Sequence, residues 1–215
     1  MDAARASCRR LAPTLLYAVC MAPRYASRIV RREARHAAGL AAPFLSPSAT
    51  VLDVGCGEGY VGAELAELGA TVMLTDIVDV RRCPSLPFQL YDGRHLPYAT
   101  HAFDMVMLNF VLHHVPNEVK AALLGEAARV SRRWLFILED TPRNALDRLM
   151  GDRHGRRFRA KIGSSASFGF LTSGEWEWLF RGLGLVIRNV RALGRFCRAP
   201  WQPYARSAFV LEVPA

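Results

Sequence analysis

A glycine-rich turn directly after a short apolar strand is the part of this sequence whose chemistry is easiest to read. Residues Val51–Gly59 read VLDVGCGEG, in which a predicted strand, Thr50–Val54, runs into three alternating glycines and then a helix. Glycines let a backbone turn tightly and approach a ligand, and a helix N-terminus favours an anionic group. Asp53 stands two residues before Gly55. A carboxylate there repels a phosphate and suits a ligand that carries an ammonium group.

The same turn also matches the spacing of a dinucleotide-binding loop. The match is Gly57-x-Gly59-x-x-Gly62, but it begins two residues late relative to the strand, and Asp53 precedes it. Two hypotheses therefore remain open: a protein that binds a nucleoside ligand carrying an ammonium group, and an NAD-dependent dehydrogenase.

Acidic residues also follow the next two predicted strands. Asp76 comes after Thr71–Thr75, and Asp92 comes after Pro87–Tyr91. A carboxylate at the first place can accept both hydroxyls of a ribose, and one at the second can meet an adenine amino group. Each acid can equally cap a helix or a turn. Acids after three successive parallel strands lie on the edge where open sheets bind ligands, which favours a nucleoside site.

Short apolar strands alternate with helices along most of the chain, which predicts an α/β fold with a parallel sheet covered on both faces. An arginine- and glycine-rich segment, Thr141–Phe170, interrupts this alternation and predicts an inserted cap. The remaining predicted elements are helices Leu15–Met21, Arg24–Leu40, Tyr60–Leu68, Glu118–Val130 and Ser173–Arg181, and strands Phe103–Phe110, Trp134–Leu138, Leu185–Leu193 and Ala205–Val213.

The motifs VLDVGCGEG, TDI, YDGRHLPY and FDMVMLNFVLHHV, in this order, resemble the class I S-adenosylmethionine-dependent methyltransferases of the small-molecule type, and the resemblance runs from about residue 40 to 213. It implies a Rossmann-like seven-stranded, mostly parallel sheet with an antiparallel last strand, helices on both faces and extra N-terminal helices. It also implies one domain over 1–215, with N-terminal helices at 1–45, a cofactor-binding half at 46–140, a cap at 141–171 and a C-terminal helix and strands at 172–215.

The resemblance implies S-adenosylmethionine as the cofactor and assigns residues to it. Asp53 lies near its ammonium group, Asp76 holds the ribose and Asp92 meets the adenine amino group. Asn109 lines the methionine end through its backbone. The full expected set, in which Ile77 and Gly93 flank the adenosine, is Asp53, Gly55, Cys56, Gly57, Gly59, Asp76, Ile77, Asp92, Gly93 and Asn109.

Methyl transfer to a hydroxyl or an amine requires removal of a proton, so we expect a base near the ends of the fourth and fifth strands. We prefer His114, because an imidazole titrates near physiological pH, although the histidine pair can also pack at the start of a helix. Relatives that methylate phenolic quinone precursors hold a metal here with glutamates, and no carboxylate occurs in Phe110–His113, so we expect no metal site. The candidate bases are His113, His114, Glu139, Asp140 and His154.

The net charge of +9 is uneven: +6 over residues 1–40, −4 over 41–139 and +7 over 140–215. The arginines of the cap form either a solvated surface or a grip for an anionic acceptor. We expect a small-molecule or carrier-bound acceptor that is methylated on oxygen. The basic ends keep an RNA or protein methyltransferase open as the alternative, but the chain has no separate RNA-binding domain, so we expect no stable nucleic-acid partner.

The five cysteines are widely spaced and form no CxxC motif, which is typical of reduced thiols and predicts a cytoplasmic protein. Residues 11–22 form a short apolar stretch after two arginines and imitate a signal peptide. Pro13 and Pro23 bracket that stretch, and no apolar run reaches the ~18 residues that a membrane span needs. We therefore expect a helix that packs on the domain, with weak contact to a membrane surface as the alternative.

Overall fold

The apolar runs of the sequence form strands, and the strands join into one sheet. A computed structural model describes residues 25–149, 151–152, 169–194 and 205–214. Within them the sheet has seven strands in the spatial order β3-β2-β1-β4-β5-β7-β6, and β1 to β5 run parallel while β7 is antiparallel to both of its neighbours. The predicted fold is thereby confirmed. The strands are β1 Thr50–Val54, β2 Thr71–Asp76, β3 Phe88–Leu90, β4 Phe103–Asn109, β5 Ser131–Asp140, β6 Val186–Leu193 and β7 Arg206–Glu212.

Among the described residues, the helices that pack on the sheet include α1 Tyr25–Ala41, α2 Tyr60–Glu67, α3 Asn117–Val130 and α4 Ser173–Gly182. Short 3₁₀ turns occupy Ala42–Phe44 and Leu112–His114. The start of α4 is encoded locally, because Thr172 and Glu175 form a reciprocal capping box. The predicted helix Leu15–Met21 lies outside the described residues.

Two apolar layers bury both faces of the sheet. On one face α3 and α4 pack Leu124 and Trp176 against Val106 of β4, and on the other α1 and α2 pack Ala38 and Leu65 against the opposite side of the same strands. Because both faces are covered, central strands are apolar at successive positions and show no alternation. Trp176 is fully buried, as its helical spacing predicts for a core residue.

The order of the strands reverses between β1 and β4. β1 pairs with β2 on one side and with β4 on the other, and the segments that lead to β2 and to β4 pack in different apolar layers, through Leu65 and Leu96. In open α/β sheets a crevice opens at this point, beyond the carboxyl ends of the strands. The glycine loop after β1 and the residues that end β2 and β4 therefore meet at one crevice.

The predicted cap, Thr141–Phe170, differs from the expectation at its two described ends. Thr141 is buried and its hydroxyl hydrogen-bonds Ser207 at 2.9 Å, and residues 145–149 are helical. Phe170 is only 9% exposed. Both ends of this segment therefore belong to the packed body of the protein. The expectation treated them as surface because polar and glycine-rich composition does not reveal tertiary contacts.

The edge strand β6 carries an irregularity. Its pairing with β7 shifts register between Ile187 and Asn189, so Arg188 has no partner position in the ladder. The guanidinium of Arg188 pairs with Glu212 of β7, and Arg191 on the same strand is exposed.

No helix in the described part of the chain is long and apolar enough to cross a membrane.

Candidate active site

The glycine loop is held against the end of β2 by its own backbone. The N–H groups of Gly55 and Cys56 both donate to the carbonyl oxygen of Thr75, at 2.8 and 3.2 Å. Gly55, Gly57 and Gly59 have φ of 68°, 53° and 82°, in the left-handed region that favours glycine. The loop therefore turns at each glycine and delivers the chain to the start of α2.

Gly55 is required by space as well as by its φ. A Cβ at this position would lie 2.5 Å from Cγ2 of Val111, a residue just beyond β4. Gly62, the last glycine of the dinucleotide spacing, meets Leu74 of β2 in the same way, at 2.4 Å. That glycine therefore serves the packing of α2 on the sheet.

Asp53 and Asn109 place two unpaired oxygen atoms in the crevice between β1 and β4. Asn109 Nδ2 donates to Asp53 Oδ1 at 3.5 Å, a long hydrogen bond. Asp53 Oδ2 and Asn109 Oδ1 are buried and have no hydrogen-bond partner within the described residues. Burial raises the pKa of Asp53 to about 7, although the Asn109 hydrogen bond opposes the shift. Two buried acceptors without a donor match a ligand that brings an ammonium group.

Asp76 joins the end of β2 to the glycine loop. Its Oδ2 accepts the Gly57 N–H at 2.9 Å, and its Oδ1 accepts the Ile77 N–H at 2.7 Å. Burial raises its pKa, while these backbone hydrogen bonds oppose the shift. Each carboxylate oxygen keeps a second lone pair, so the group can also accept a pair of ligand hydroxyls.

Beyond Asp76 the structure brings an apolar side chain and a glycine together. The Ile77 side chain is 64% exposed, and a Cβ on Gly93 would lie 3.3 Å from it. Asp92 is exposed, and its Oδ1 accepts the N–H groups of Arg94 and His95, both at 2.7 Å. The turn that we weighed as an alternative for Asp92 is therefore present, and only Oδ2 is left for a ligand.

Tyr91 is a residue of this half that was missed in the sequence, whereas Cys56 belongs to the expected set. Tyr91 lies between Asp76 and Asp92, and burial raises the pKa of its hydroxyl to about 12, with both carboxylates adding to the shift. Cys56 is half-buried, and burial raises the pKa of its thiol well above the ordinary value, so the thiol stays protonated. The signal that could have identified Tyr91 in the sequence is its position directly before Asp92.

Beyond the ends of β4 and β5, the two predicted histidines have different surroundings. His113 is buried, and its Nδ1 lies 2.6 Å from Oε2 of the fully buried Glu139, whereas His114 is exposed. Glu139 Oε1 also accepts the Leu112 N–H at 2.6 Å. The Phe170 ring stacks on His113 with centroids 5.4 Å apart. Sequence spacing gave no sign of this pairing. His154 lies outside the described residues.

A charged cluster joins α1, β5 and β7 beside Phe110. Arg206 of β7 is 5% exposed, and its guanidinium pairs with Asp140 of β5 and Glu33 of α1. It also lies over the Phe110 ring, 4.5 Å from the centroid. Phe110 adopts a φ of 57°, which is costly for an aromatic residue and places strain directly after β4. No group of three or more side chains in the described residues could hold a metal ion.

The fold and this crevice define a Rossmann-like methyltransferase domain, and the comparisons agree. The family model for the methyltransferase domain matches residues 25–190, so the chain belongs to that family. S-adenosylmethionine is the cofactor of this class, and the unpaired oxygens of Asp53 and Asn109 fit its ammonium group. The family assignment decides against the NAD-dependent dehydrogenase that the glycine spacing left open.

The relatives cover different shares of the chain. Methyltransferase GfsG of Streptomyces halstedii is 35% identical over 112 residues, which are 45% of this chain and only 40% of the relative. The 1,6-didemethyltoxoflavin-N1-methyltransferase of Burkholderia thailandensis, solved with its acceptor and S-adenosylhomocysteine, is 17% identical over 91% of this chain and 92% of its own, with a TM-score of 0.67. Magnesium protoporphyrin IX methyltransferase of Synechocystis PCC 6803, with S-adenosylhomocysteine bound, is 18% identical over 87% of this chain and 84% of its own, with a TM-score of 0.63.

The close approach of Val111 to the glycine loop gives a first prediction. We expect Gly55→Ala to lower the free energy of unfolding by about 3 kcal/mol, because it adds overpacking to the strain of a positive φ. Gly69→Ala is the matched control: its φ is 92° but nothing lies within 4 Å of the added Cβ, so we expect a loss of only about 1 kcal/mol. Urea denaturation of both variants measures the difference. Equal losses would mean that the Val111 contact does not matter, and Gly55→Ala/Val111→Ala should recover part of the larger one.

Proposed function

We propose that this protein transfers a methyl group from S-adenosylmethionine to an oxygen of a small organic or carrier-bound acceptor. The observation that carries the proposal is the pair of buried, unpartnered oxygens, Asp53 Oδ2 and Asn109 Oδ1, at the point where the strand order reverses. They lie next to a loop whose glycines leave room for a ligand.

The cofactor lies across the crevice in this proposal, with each half held by different residues. Asp53 accepts the ammonium group, and the backbone of Gly55, Cys56, Gly57 and Gly59 passes under the methionine part. Asp76 accepts both ribose hydroxyls through the lone pairs that Gly57 and Ile77 leave unused. The remaining contacts are assigned to Ile77 and Gly93 on the adenosine, Asp92 on the adenine amino group and Asn109 at the methionine end.

S-adenosylmethionine would supply a methyl group on a sulfonium, from which a neutral thioether leaves. The chain has to align the acceptor with that methyl, exclude water and receive a proton. His114 receives the proton in this proposal, because it is the exposed member of the histidine pair at the acceptor side of β4. Phe110 and Phe170 supply apolar walls near it.

A proton-accepting side chain at this place supports an acceptor that loses a proton on methylation, and we propose a hydroxyl in preference to an amine. The Burkholderia thailandensis structure carries a small heterocyclic acceptor in the same fold, which supports a small molecule as the acceptor class. Methylation of RNA or of a protein is the alternative, and the net charge of +9 favours it. The arginines Arg153, Arg156 and Arg157, which the sequence suggests for an anionic acceptor, lie outside the described residues.

The experiment is methyl transfer from radiolabelled S-adenosylmethionine into fractions of a cell extract, with Asp76→Ala as the blank. We expect label in an organic-soluble fraction that survives nuclease and protease. Label lost on nuclease or protease treatment would establish the alternative instead. Methanol released from the labelled product by acid would distinguish an ester oxygen from an ether oxygen or a nitrogen.

We also propose a cytoplasmic location, because Cys56 and Cys83 are free thiols.

The raised pKa of Asp53 predicts how cofactor binding depends on pH. A carboxylic acid with a pKa of about 7 is neutral below that value and loses its attraction for an ammonium group. We expect the affinity for S-adenosylhomocysteine to fall by up to tenfold per pH unit below 7, and to fall again above about 8 as the α-amino group of the ligand loses its proton. Calorimetric titration from pH 5.5 to 8.5 measures it. Adenosine, which lacks the ammonium, should show a much flatter acid limb, and identical profiles for the two ligands would remove Asp53 from the site.

A further inference from the structure

Glu139 is a fully buried carboxylate whose two oxygens both serve one short turn. Oε1 accepts the Leu112 N–H and Oε2 contacts His113 Nδ1, each at 2.6 Å. Burying a carboxylate is costly unless its oxygens are hydrogen-bonded, so these two contacts offset the cost of its burial. The contacts fix the backbone of the 3₁₀ turn and place the Nδ1 proton of His113 toward Glu139.

The ring of His113 is held on its other sides as well. Phe170 stacks on it at an angle of 14°, and the Gly169 N–H donates to the His113 carbonyl oxygen at 3.1 Å. The exposed ring of His114 contacts it, with centroids 4.0 Å apart. The position of the His113 ring therefore limits where the His114 ring can lie.

Ionisable groups surround this turn where apolar side chains would have been cheaper to bury. The charged groups that face His113 from the packed elements are Glu139 and Asp140 of β5 and Lys120 of α3. Burial by itself lowers the pKa of His113, but the charge and hydrogen bond of Glu139 outweigh it, so that the pKa is raised. Burial lowers the pKa of Lys120 to about 8, and its ammonium donates to the Val115 carbonyl oxygen at 2.7 Å. Bracing a turn does not require a buried ion pair, which is seldom more stabilising than apolar packing.

We infer that Glu139 and His113 are positioning residues that orient His114 and set its charge for proton transfer from the acceptor. This inference rests on the proposed function. As the new oxygen–methyl bond forms and the sulfur–methyl bond breaks, the sulfonium becomes a neutral thioether and the acceptor proton passes to the His114 imidazole, which later releases it to water. A positive charge on the His113 ring, which Glu139 favours, would disfavour a second one on the adjacent His114 ring and so keep His114 neutral and able to accept a proton until the acceptor arrives.

The test is a titration of the histidine side chains by two-dimensional NMR, with S-adenosylhomocysteine as the bound probe. Glu139→Gln keeps the shape and an acceptor for the Leu112 N–H but removes the charge. His113→Asn keeps a donor to Glu139 but removes the titrating ring. We expect the pKa of His113 to fall by about one unit in Glu139→Gln and the pKa of His114 to rise by about half a unit in both variants.

A matched control comes from the surface pair of His95 and Glu126, whose nitrogen and oxygen lie 3.6 Å apart. Glu126→Gln also removes a carboxylate beside a histidine, and we expect it to leave the titration of His114 unchanged. Affinity for S-adenosylhomocysteine should stay within about threefold in all three variants.

Two results separate failure of this inference from failure of the proposed function. If the probe binds but the His114 titration is unchanged in both variants, Glu139 and His113 only brace the turn. If Glu139→Gln does not fold, His113→Asn decides the question alone, because it keeps the contact with Glu139. If the unaltered protein does not bind the probe at all, the proposed function fails first.

Discussion

Replacing Asp76 by alanine should weaken the binding of S-adenosylhomocysteine by about 100-fold or more. The ribose hydroxyls of the ligand would lose two charge-assisted hydrogen bonds to this carboxylate, each worth about 1.5–3 kcal/mol. It would also release the Gly57 N–H, which it holds at 2.9 Å, so that the glycine loop loses one of its hydrogen bonds to β2. Isothermal titration calorimetry of the folded variant measures the change.

Asp79→Ala is the matched control for this prediction. Asp79 lies three residues further along, is exposed, and pairs with Arg81. Removing it deletes a carboxylate of the same type without touching the crevice, so we expect a change in affinity below threefold. An Asp76→Ala protein that melts like the unaltered one and still binds within threefold would contradict the proposed cofactor site.

Replacing Asp53 by asparagine should make the ligand-free protein more stable and abolish cofactor binding. Burial raises the pKa of Asp53 from 3.8 to about 7. The unfolded chain therefore releases this proton near pH 4 while the folded chain retains it to about 7, so stability falls as the pH rises between these values and the full loss persists above 7. The loss is of the order of 4 kcal/mol at most. We expect Asp53→Asn to recover part of it at pH 8, to make little difference near pH 4, and to weaken S-adenosylhomocysteine binding by more than 100-fold.

Asp104→Asn is the control with the opposite sign. Asp104 accepts the Thr50 N–H and hydroxyl at 2.8 and 2.7 Å, and the backbone hydrogen bond holds its pKa below the ordinary value. We expect this variant to be less stable than the unaltered protein at pH 8 and also at pH 4, because a carboxylate with a lowered pKa loses its stabilising effect only below about pH 4, and to bind S-adenosylhomocysteine normally. Thermal melts at pH 8 and pH 4 measure both variants. A lower melting temperature for Asp53→Asn at pH 8 would contradict the destabilising effect that we assign to the buried Asp53 carboxylate.

The sequence was sufficient for the parts of this site that lie close together along the chain. The strand, the glycine loop and Asp53 fall within ten residues, and each parallel strand ends at the same edge of the sheet, so Asp76 and Asn109 could be expected there. The number of strands and the antiparallel direction of the last one followed from the family resemblance, and their spatial order came from the structure.

Contacts between distant residues could not be predicted in this way. Glu139 meets a histidine 26 positions away, and Arg206 meets carboxylates 66 and 173 positions away. Val111 presses on Gly55 only because β1 and β4 are neighbours. The choice of His114 over His113 illustrates the limit: the two are adjacent in sequence, but only the fold shows that one is buried against Glu139 and the other exposed.

The irregular edge strand β6 also bears on how copies of this protein behave when concentrated. An eight-residue strand at the border of a sheet offers unpaired backbone groups to any extended segment of another molecule. The register shift at Arg188 twists that border, and Arg191 adds a positive charge along it. If the β6 strands of two copies approached each other, each copy would present the register shift and the arginine charge. Pairing between the two edge strands is therefore disfavoured, and with it the strand-by-strand addition that begins aggregation.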